Sequence, residues 1–163
     1  MRDVSDTRSA IRIDPDVLAA IRAGAAAAYP NEGCGALLGP KADAVRRITS
    51  SLPVPNIETG TPRMRFEVAP RDYLAVEDEA DRRGLSLLGF WHSHPDDTAQ
   101  ASRTDRAYAW EGLLTVIVAV PEGSPREIIA WEILSPDEPF TSVPIEESVT
   151  GRPITVISTF PAI

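Results

Sequence analysis

The segment Leu85-Ser86-Leu87-Leu88-Gly89-Phe90-Trp91 is almost continuously apolar and runs directly into His92-Ser93-His94-Pro95. Such a short run suits a strand buried on both faces. A strand of that kind needs cover above and below, which commits the chain to layers of helix around a central sheet. Its C-terminal end also carries chemistry. His92 and His94 are the chain's only histidines, and alternation with period two puts both imidazoles on one side of an extended segment. Ser102 and Asp105 follow, completing the pattern His-x-His-Pro-x6-Ser-x-x-Asp. An aspartate one helical turn into the next segment can close on the imidazoles from a second direction.

Two imidazole nitrogens and one carboxylate oxygen suit Zn²⁺, and three protein ligands leave a position for water, the layout of a catalytic site. His92, His94 and Asp105 are therefore the candidate ligands of one zinc per chain. The competing interpretation makes the histidines ordinary polar residues at a strand end, with Ser102 as a helix cap.

The flanking sequence supplies the layers. Ile11-Arg12-Ile13 alternates as a short strand, and Asp14-Pro15 opens an Ala-rich helix over 15–28, with Val17, Leu18, Ile21 and Ala25 on one face. Tyr29-Pro30 ends it. Asn31-Glu32-Gly33-Cys34-Gly35 then leads into a strand at Ala36-Leu37-Leu38, and another strand is expected over about 43–50. Pro53, Pro55, Gly60 and Pro62 mark 51–63 as irregular loop, and Arg65-Phe66-Glu67-Val68 as a further strand. A charged amphipathic helix spans about 70–83 with Gly84 as its cap. A short helix starts at Ser102, and strands follow at 113–120 and 127–134. The stretch 135–163 is rich in Pro, Ser and Thr, with one weak strand signal at Ile154–Ser158. Alternating helices and strands imply an α/β domain with a mixed sheet, and ligands at the end of a central strand sit where such sheets place their sites.

At 163 residues the chain has the length of one domain able to bury its own core. Net charge −8 argues against nucleic acid and anionic membranes as partners. A lone cysteine, Cys34, allows neither an intramolecular disulfide nor a multi-cysteine zinc site; with no third histidine to activate it, Cys34 reads as a small buried residue. The polar N-terminus lacks a signal-peptide core and no stretch reaches membrane-spanning length, so the expected location is the cytoplasm. Trp91, Trp110 and Trp131 read as core or pocket wall, and Asp96 and Asp97 as solvated loop residues.

Amide hydrolysis at such a zinc also needs a general base that relays a proton to the leaving amine, a role for a carboxylate near the metal but not bound to it. Glu32 has a distinctive setting for that role, beside glycines that let the backbone approach a crowded centre. Without the zinc motif it would read as a solvated loop carboxylate. The Ser102 hydroxyl could donate to the oxyanion formed at the attacked carbonyl.

Glu32 upstream, His92-Ser93-His94-Pro95, Ser102 and Asp105 together resemble the JAMM (MPN-plus) zinc metalloproteases, and the details look most like the small stand-alone prokaryotic type. The resemblance covers about residues 10–134, leaving 135–163 as a C-terminal extension of unknown role. It implies a cytidine-deaminase-like three-layer α/β/α sandwich with a mixed central sheet. It implies that His92, His94 and Asp105 bind zinc, that Glu32 is the acid/base and that Ser102 steadies the tetrahedral intermediate. It further implies hydrolysis after the C-terminal Gly-Gly of a ubiquitin-like protein; small bacterial members act on sulfur-carrier proteins, a link to cysteine biosynthesis. A general small-peptide zinc hydrolase and a non-enzymatic zinc-stabilised binding module are the alternatives. Nucleoside deamination on the same fold would need a Pro-Cys-x-x-Cys motif that one cysteine cannot supply.

Overall fold

A computed structural model describes residues 10–41, 45–133, 135 and 137–147. The elements in chain order are β1 (Ile11–Ile13), α1 (Pro15–Ala28), β2 (Cys34–Gly39), β3 (Arg47–Ile48), β4 (Ser50–Val54), α2 (Pro70–Arg82), β5 (Ser86–Pro95), α3 (Arg103–Tyr108), β6 (Leu114–Val120), β7 (Ile128–Glu132), β8 (Thr141–Val143) and β9 (Ile145–Glu147). A single 3₁₀ turn at Pro121–Gly123 joins β6 to β7.

Six strands form the main sheet in the order β4-β2-β5-β6-β7-β8. The β5–β6 pair is parallel and the other neighbours are antiparallel, so the sheet is mixed. The apolar run that ends in the histidines lies at its centre, and β5 continues through both histidines to Pro95. Helix α1 covers one face, packing Val17, Leu18, Ile21 and Ala25 with Leu37, Trp91, Val116 and Val118. On the other face Val76 and Ala80 of α2 meet Cys34, Ala36, Leu38 and Phe90. Burial on both faces explains why β6 reads Leu-Thr-Val-Ile-Val-Ala-Val without alternation. The result is the three-layer α/β/α sandwich with a mixed sheet.

Three local expectations change. The strand expected over about 43–50 divides at Thr49. Beyond it, β4 pairs with β2 and carries Ser50–Val54 into the segment expected as loop. Pro53 is tolerated there because β4 is an edge strand, where a missing N–H removes no bond to an outer neighbour. Before it, β3 joins β1 in a separate parallel sheet, β3-β1-β9. The strand expected at Arg65–Val68 is irregular, because its backbone groups pair with the side chain of Asn56 and with Ile57 rather than with a strand. The stretch after 134 contributes β8 to the edge of the main sheet and β9 to the small one. The weak strand signal at 154–158 lies outside the described residues.

The N-cap of α1 also departs from expectation. Asp14 occupies it without a side-chain cap bond, because its carboxylate accepts from Arg47 Nε at 2.9 Å. Gly84 stands just past α2 with φ 67°, a conformation in which a Cβ would be strained. Among the described residues no helix is long and apolar enough to cross a membrane.

Candidate active site

Along β5 the side chains alternate, so Trp91 and Ser93 enter the α1 layer while Phe90, His92 and His94 face the α2 and α3 side. Both imidazoles are buried. Asp105 arrives from the first turn of α3. That helix begins with a reciprocal capping box: Ser102 Oγ accepts from the Asp105 amide at 3.0 Å, and Asp105 Oδ2 accepts from the Ser102 amide at 2.7 Å. The cap fixes where the helix starts and therefore where the aspartate points.

The three side chains converge. His92 Nε2 lies 2.9 Å from Asp105 Oδ1, His94 Nε2 lies 3.2 Å from Asp105 Oδ2, and the two Nε2 atoms are 3.2 Å apart. A tetrahedral ion with bonds of roughly 2.0–2.1 Å holds its ligand atoms about 3.3 Å from one another. Two nitrogen atoms and a carboxylate at these separations could hold a metal ion. The surroundings of His94 favour the same role, since its Nδ1 lies 2.7 Å from the Thr98 carbonyl. Nδ1 must carry the proton to make that bond, which leaves the Nε2 lone pair turned to the centre. The Thr98 loop is braced in turn by Trp131, whose indole donates to the Ala99 carbonyl at 3.1 Å. His92 has no comparable brace at Nδ1 among the described residues; Phe66 stacks on its ring at 4.6 Å instead.

Electrostatics distinguish the members of this cluster. Burial pulls His92 down, away from protonation, despite its contact with Asp105. Burial pulls on His94 as well, but hydrogen bonds with Asp105 and the Thr98 carbonyl outweigh it and move His94 up. For Asp105 burial raises the carboxyl, yet hydrogen bonds with both imidazoles hold it below the usual carboxylate range.

Glu32 is buried beside this cluster but is not one of the three converging groups. Removal from water pushes its carboxyl up to about 8, helped by the negative charge of Asp105 and opposed by His94. Its backbone is clamped from two sides. The Glu32 amide donates to the Pro62 carbonyl at 2.7 Å and its carbonyl accepts from Asn56 Nδ2 at 3.0 Å. The next residue, Gly33, donates to Ser93 Oγ at 2.8 Å and accepts from the Ser93 amide at 3.0 Å. Ser93 sits between the two histidines, so its inward-facing hydroxyl ties the Glu32 segment to the imidazole strand. Close approach matters here: a Cβ at Gly35 would collide with the Trp91 indole and the Leu52 carbonyl.

Glu32, His92 and Asp105 line a cavity of about 750 Å³. Phe66, Tyr73, Phe90 and Trp110 are among its other lining residues. Trp110 bridges the groove, edge-on to Tyr73 at 5.2 Å and to Phe90 at 5.7 Å, while half of its surface stays exposed. Trp110 is thus pocket wall, whereas Trp91 and Trp131 are core. Cys34 is no nucleophile: burial pushes its thiol up to about 12, and it donates to the Val54 carbonyl. Asp96, expected to be simply solvated, accepts from Tyr29 Oη at 2.9 Å and from the Glu122 amide at 2.7 Å. The roles of Ser93 and Asn56 are not visible in the sequence, because they act on backbone groups brought near by the fold.

The chain is similar in sequence and fold to known proteins. Residues 14–134 match the prokaryotic homologs of the JAB domain. Desampylase of Haloferax volcanii is 36% identical over 108 residues, 66% of this chain and 75% of that protein. Tail tip assembly protein K of Escherichia phage N15 is 37% identical over 110 residues, 67% of this chain but only 41% of that protein. The solution structure of a protein from Desulfitobacterium hafniense superposes with a TM-score of 0.71 at 25% identity, covering 85% of this chain and 94% of that one. The chain belongs to the prokaryotic homologs of the JAB domain, a small member of the JAB/MPN family and a JAMM-type hydrolase.

Proposed function

We propose that the chain is a zinc metallopeptidase that cleaves the peptide or isopeptide bond after the C-terminal Gly-Gly of a ubiquitin-like protein, with a sulfur carrier as the first candidate. The observation that carries this reading is the pairing of the His92–His94–Asp105 cluster with a buried Glu32 beside a cavity that aromatic side chains help to line. Likeness to a desampylase supports a protein-conjugate substrate. Zinc held by His92, His94 and Asp105 would supply Lewis acidity and an acidified water.

The chain's own residues do the rest. Glu32, buried beside the three converging groups but not one of them, can take a proton from a water and pass it to the departing amine. Ser102 Oγ accepts from the Asp105 amide, which leaves its own proton available to the oxyanion of the attacked carbonyl. The candidate groove for an extended tail, expected at the loop 51–63 and at residues 65–68, is best supported at 65–68, which line the cavity, and the tail's glycines would pass where larger side chains would not.

Incubation with a ubiquitin-like sulfur-carrier protein extended beyond Gly-Gly, followed by mass spectrometry, tests the reading. Loss of the extension from the folded carrier, with little cleavage of unrelated peptides, is expected. Equal cleavage of arbitrary peptides would make the chain a general peptidase. Stoichiometric zinc without any cleavage would make it a binding module.

A further inference from the structure

We infer that Asn56 is a positioning residue that sets the backbone of Glu32 and the groove wall at Phe66 in one fixed relation. The inference rests on the reading of Glu32 as the acid/base. Every hydrogen-bonding site of the Asn56 amide is filled. Nδ2 donates to the Glu32 carbonyl and to the Arg65 carbonyl, each at 3.0 Å. Oδ1 accepts from the Glu58 and Glu67 amides, again at 3.0 Å each. Two carbonyls on one side and two N–H groups on the other define the amide's orientation. They also exclude its simplest replacement, since aspartate has no proton to offer the carbonyls.

The three segments joined at this amide matter differently. Glu32 carries the buried carboxyl. Arg65 and Glu67 flank Phe66, whose ring stacks on His92 at 4.6 Å. Glu58 turns the loop back on itself, its carboxylate accepting from the Gly60 amide at 2.7 Å and the Thr61 amide at 3.2 Å. Ile57 donates to the Glu67 carbonyl at 2.9 Å, and Pro62 accepts from Glu32 at 2.7 Å. The loop is therefore closed upon itself and grips Glu32 at both its N–H and its C=O. A shift of the Asn56 side chain moves the carboxyl and the aromatic wall together. Asn56 stands outside the apolar core clusters, so its work is local.

The test uses the full chain carrying one equivalent of zinc, with Asn56→Asp and Asn56→Ala, on the Gly-Gly-extended carrier protein. Misplacement of a reacting group by about 1 Å lowers turnover by as much as a hundredfold, so kcat is expected to fall roughly ten- to a hundredfold in Asn56→Asp. The loss should be smaller in Asn56→Ala, where water can enter and meet the freed carbonyls. KM should change less than kcat, zinc content should stay at one equivalent, and amide exchange at Glu58 and Glu67 should quicken in both variants. Turnover within twofold of wild type in both, or a change confined to KM, would overturn the inference. Failure of both variants to fold would overturn it too, by making Asn56 a general structural residue. Glu32→Gln run in parallel separates the two ideas. If it keeps wild-type turnover, the acid/base reading falls; if it is inactive while the Asn56 variants are unimpaired, only the positioning role falls.

Discussion

On one side of β5, Trp91 and Ser93 are sealed under α1; on the other, Phe90 and His92 line an open cavity and the buried His94 lies beside them. The same five residues thus serve a packed layer and a reactive one. Trp91 lies against Gly35, donates to Ser51 Oγ at 3.1 Å, and joins the largest core cluster. Ser93 hooks the Gly33 backbone. The sealed side therefore holds the strand and the Glu32 segment in place. The other side is left free of close packing along the groove, with three polar groups drawn to one point. Period-two alternation allows this division, because rigidity and chemistry are assigned to neighbouring residues instead of competing for the same ones.

The division can be broken from either side. The largest expected effect is on the reactive side: Asp105→Ala should bring zinc content close to zero and hydrolysis to background while the melt stays cooperative. Metal analysis beside a thermal melt checks this, and full zinc retention would show the ligand set to be wrong. On the sealed side, Trp91→Ala should lower the unfolding free energy by about 3–5 kcal/mol, as large-to-small core changes do. Urea denaturation measures it; a loss below about 1 kcal/mol would mean that this layer does not anchor the strand.

A third effect is smaller and depends on pH. In the metal-free chain the folded Glu32 carboxyl lies at about 8, above its ordinary value of 4.5. The folded state then binds more protons than the unfolded state between those values, so this group makes stability fall as pH rises from about 4.5 to about 8. Glu32→Gln removes the titration. The metal-free variant should gain on wild type across that window and keep a constant difference above it. An unchanged difference from pH 4.5 to 8 would mean that Glu32 is solvated.

Last, Tyr73→Ala removes an aromatic contact from the groove wall without touching the ligands. KM for the extended carrier should rise roughly two- to tenfold, in line with about 0.5–1.5 kcal/mol for an aromatic pair, with kcat little changed. Steady-state kinetics decides it, and an unchanged KM would remove this wall from the substrate path.

Features controlled by periodicity were legible in the chain. The apolar stretch 85–91, the spans of α1 and α2 and the buried strand β6 follow from burial patterns that depend on nearby residues alone. So does the placing of His92, His94 and Asp105, through strand alternation and a local capping box. What escaped depends on partners distant in sequence. Residues 65–68 have strand-like composition, yet their backbone is claimed by the Asn56 side chain and by the main chain of Ile57 and Thr61. Pro53 suggests a loop, yet an edge position forgives it. Strands β8 and β9 are three residues each and flank Pro144, too short to leave a periodic trace. The hold of Ser93 and Asn56 on the Glu32 segment runs through main-chain atoms, which every residue possesses, so no residue type announces it.

The central claim is that Glu32 moves protons at a centre whose metal it does not bind. Zinc content and carrier-protein mass, measured on the same preparations of wild type and Glu32→Gln, test it most directly. One equivalent of zinc in both, with the carrier shortened to Gly-Gly only by wild type, is the predicted result. Carrier shortened by Glu32→Gln at the wild-type rate would contradict it.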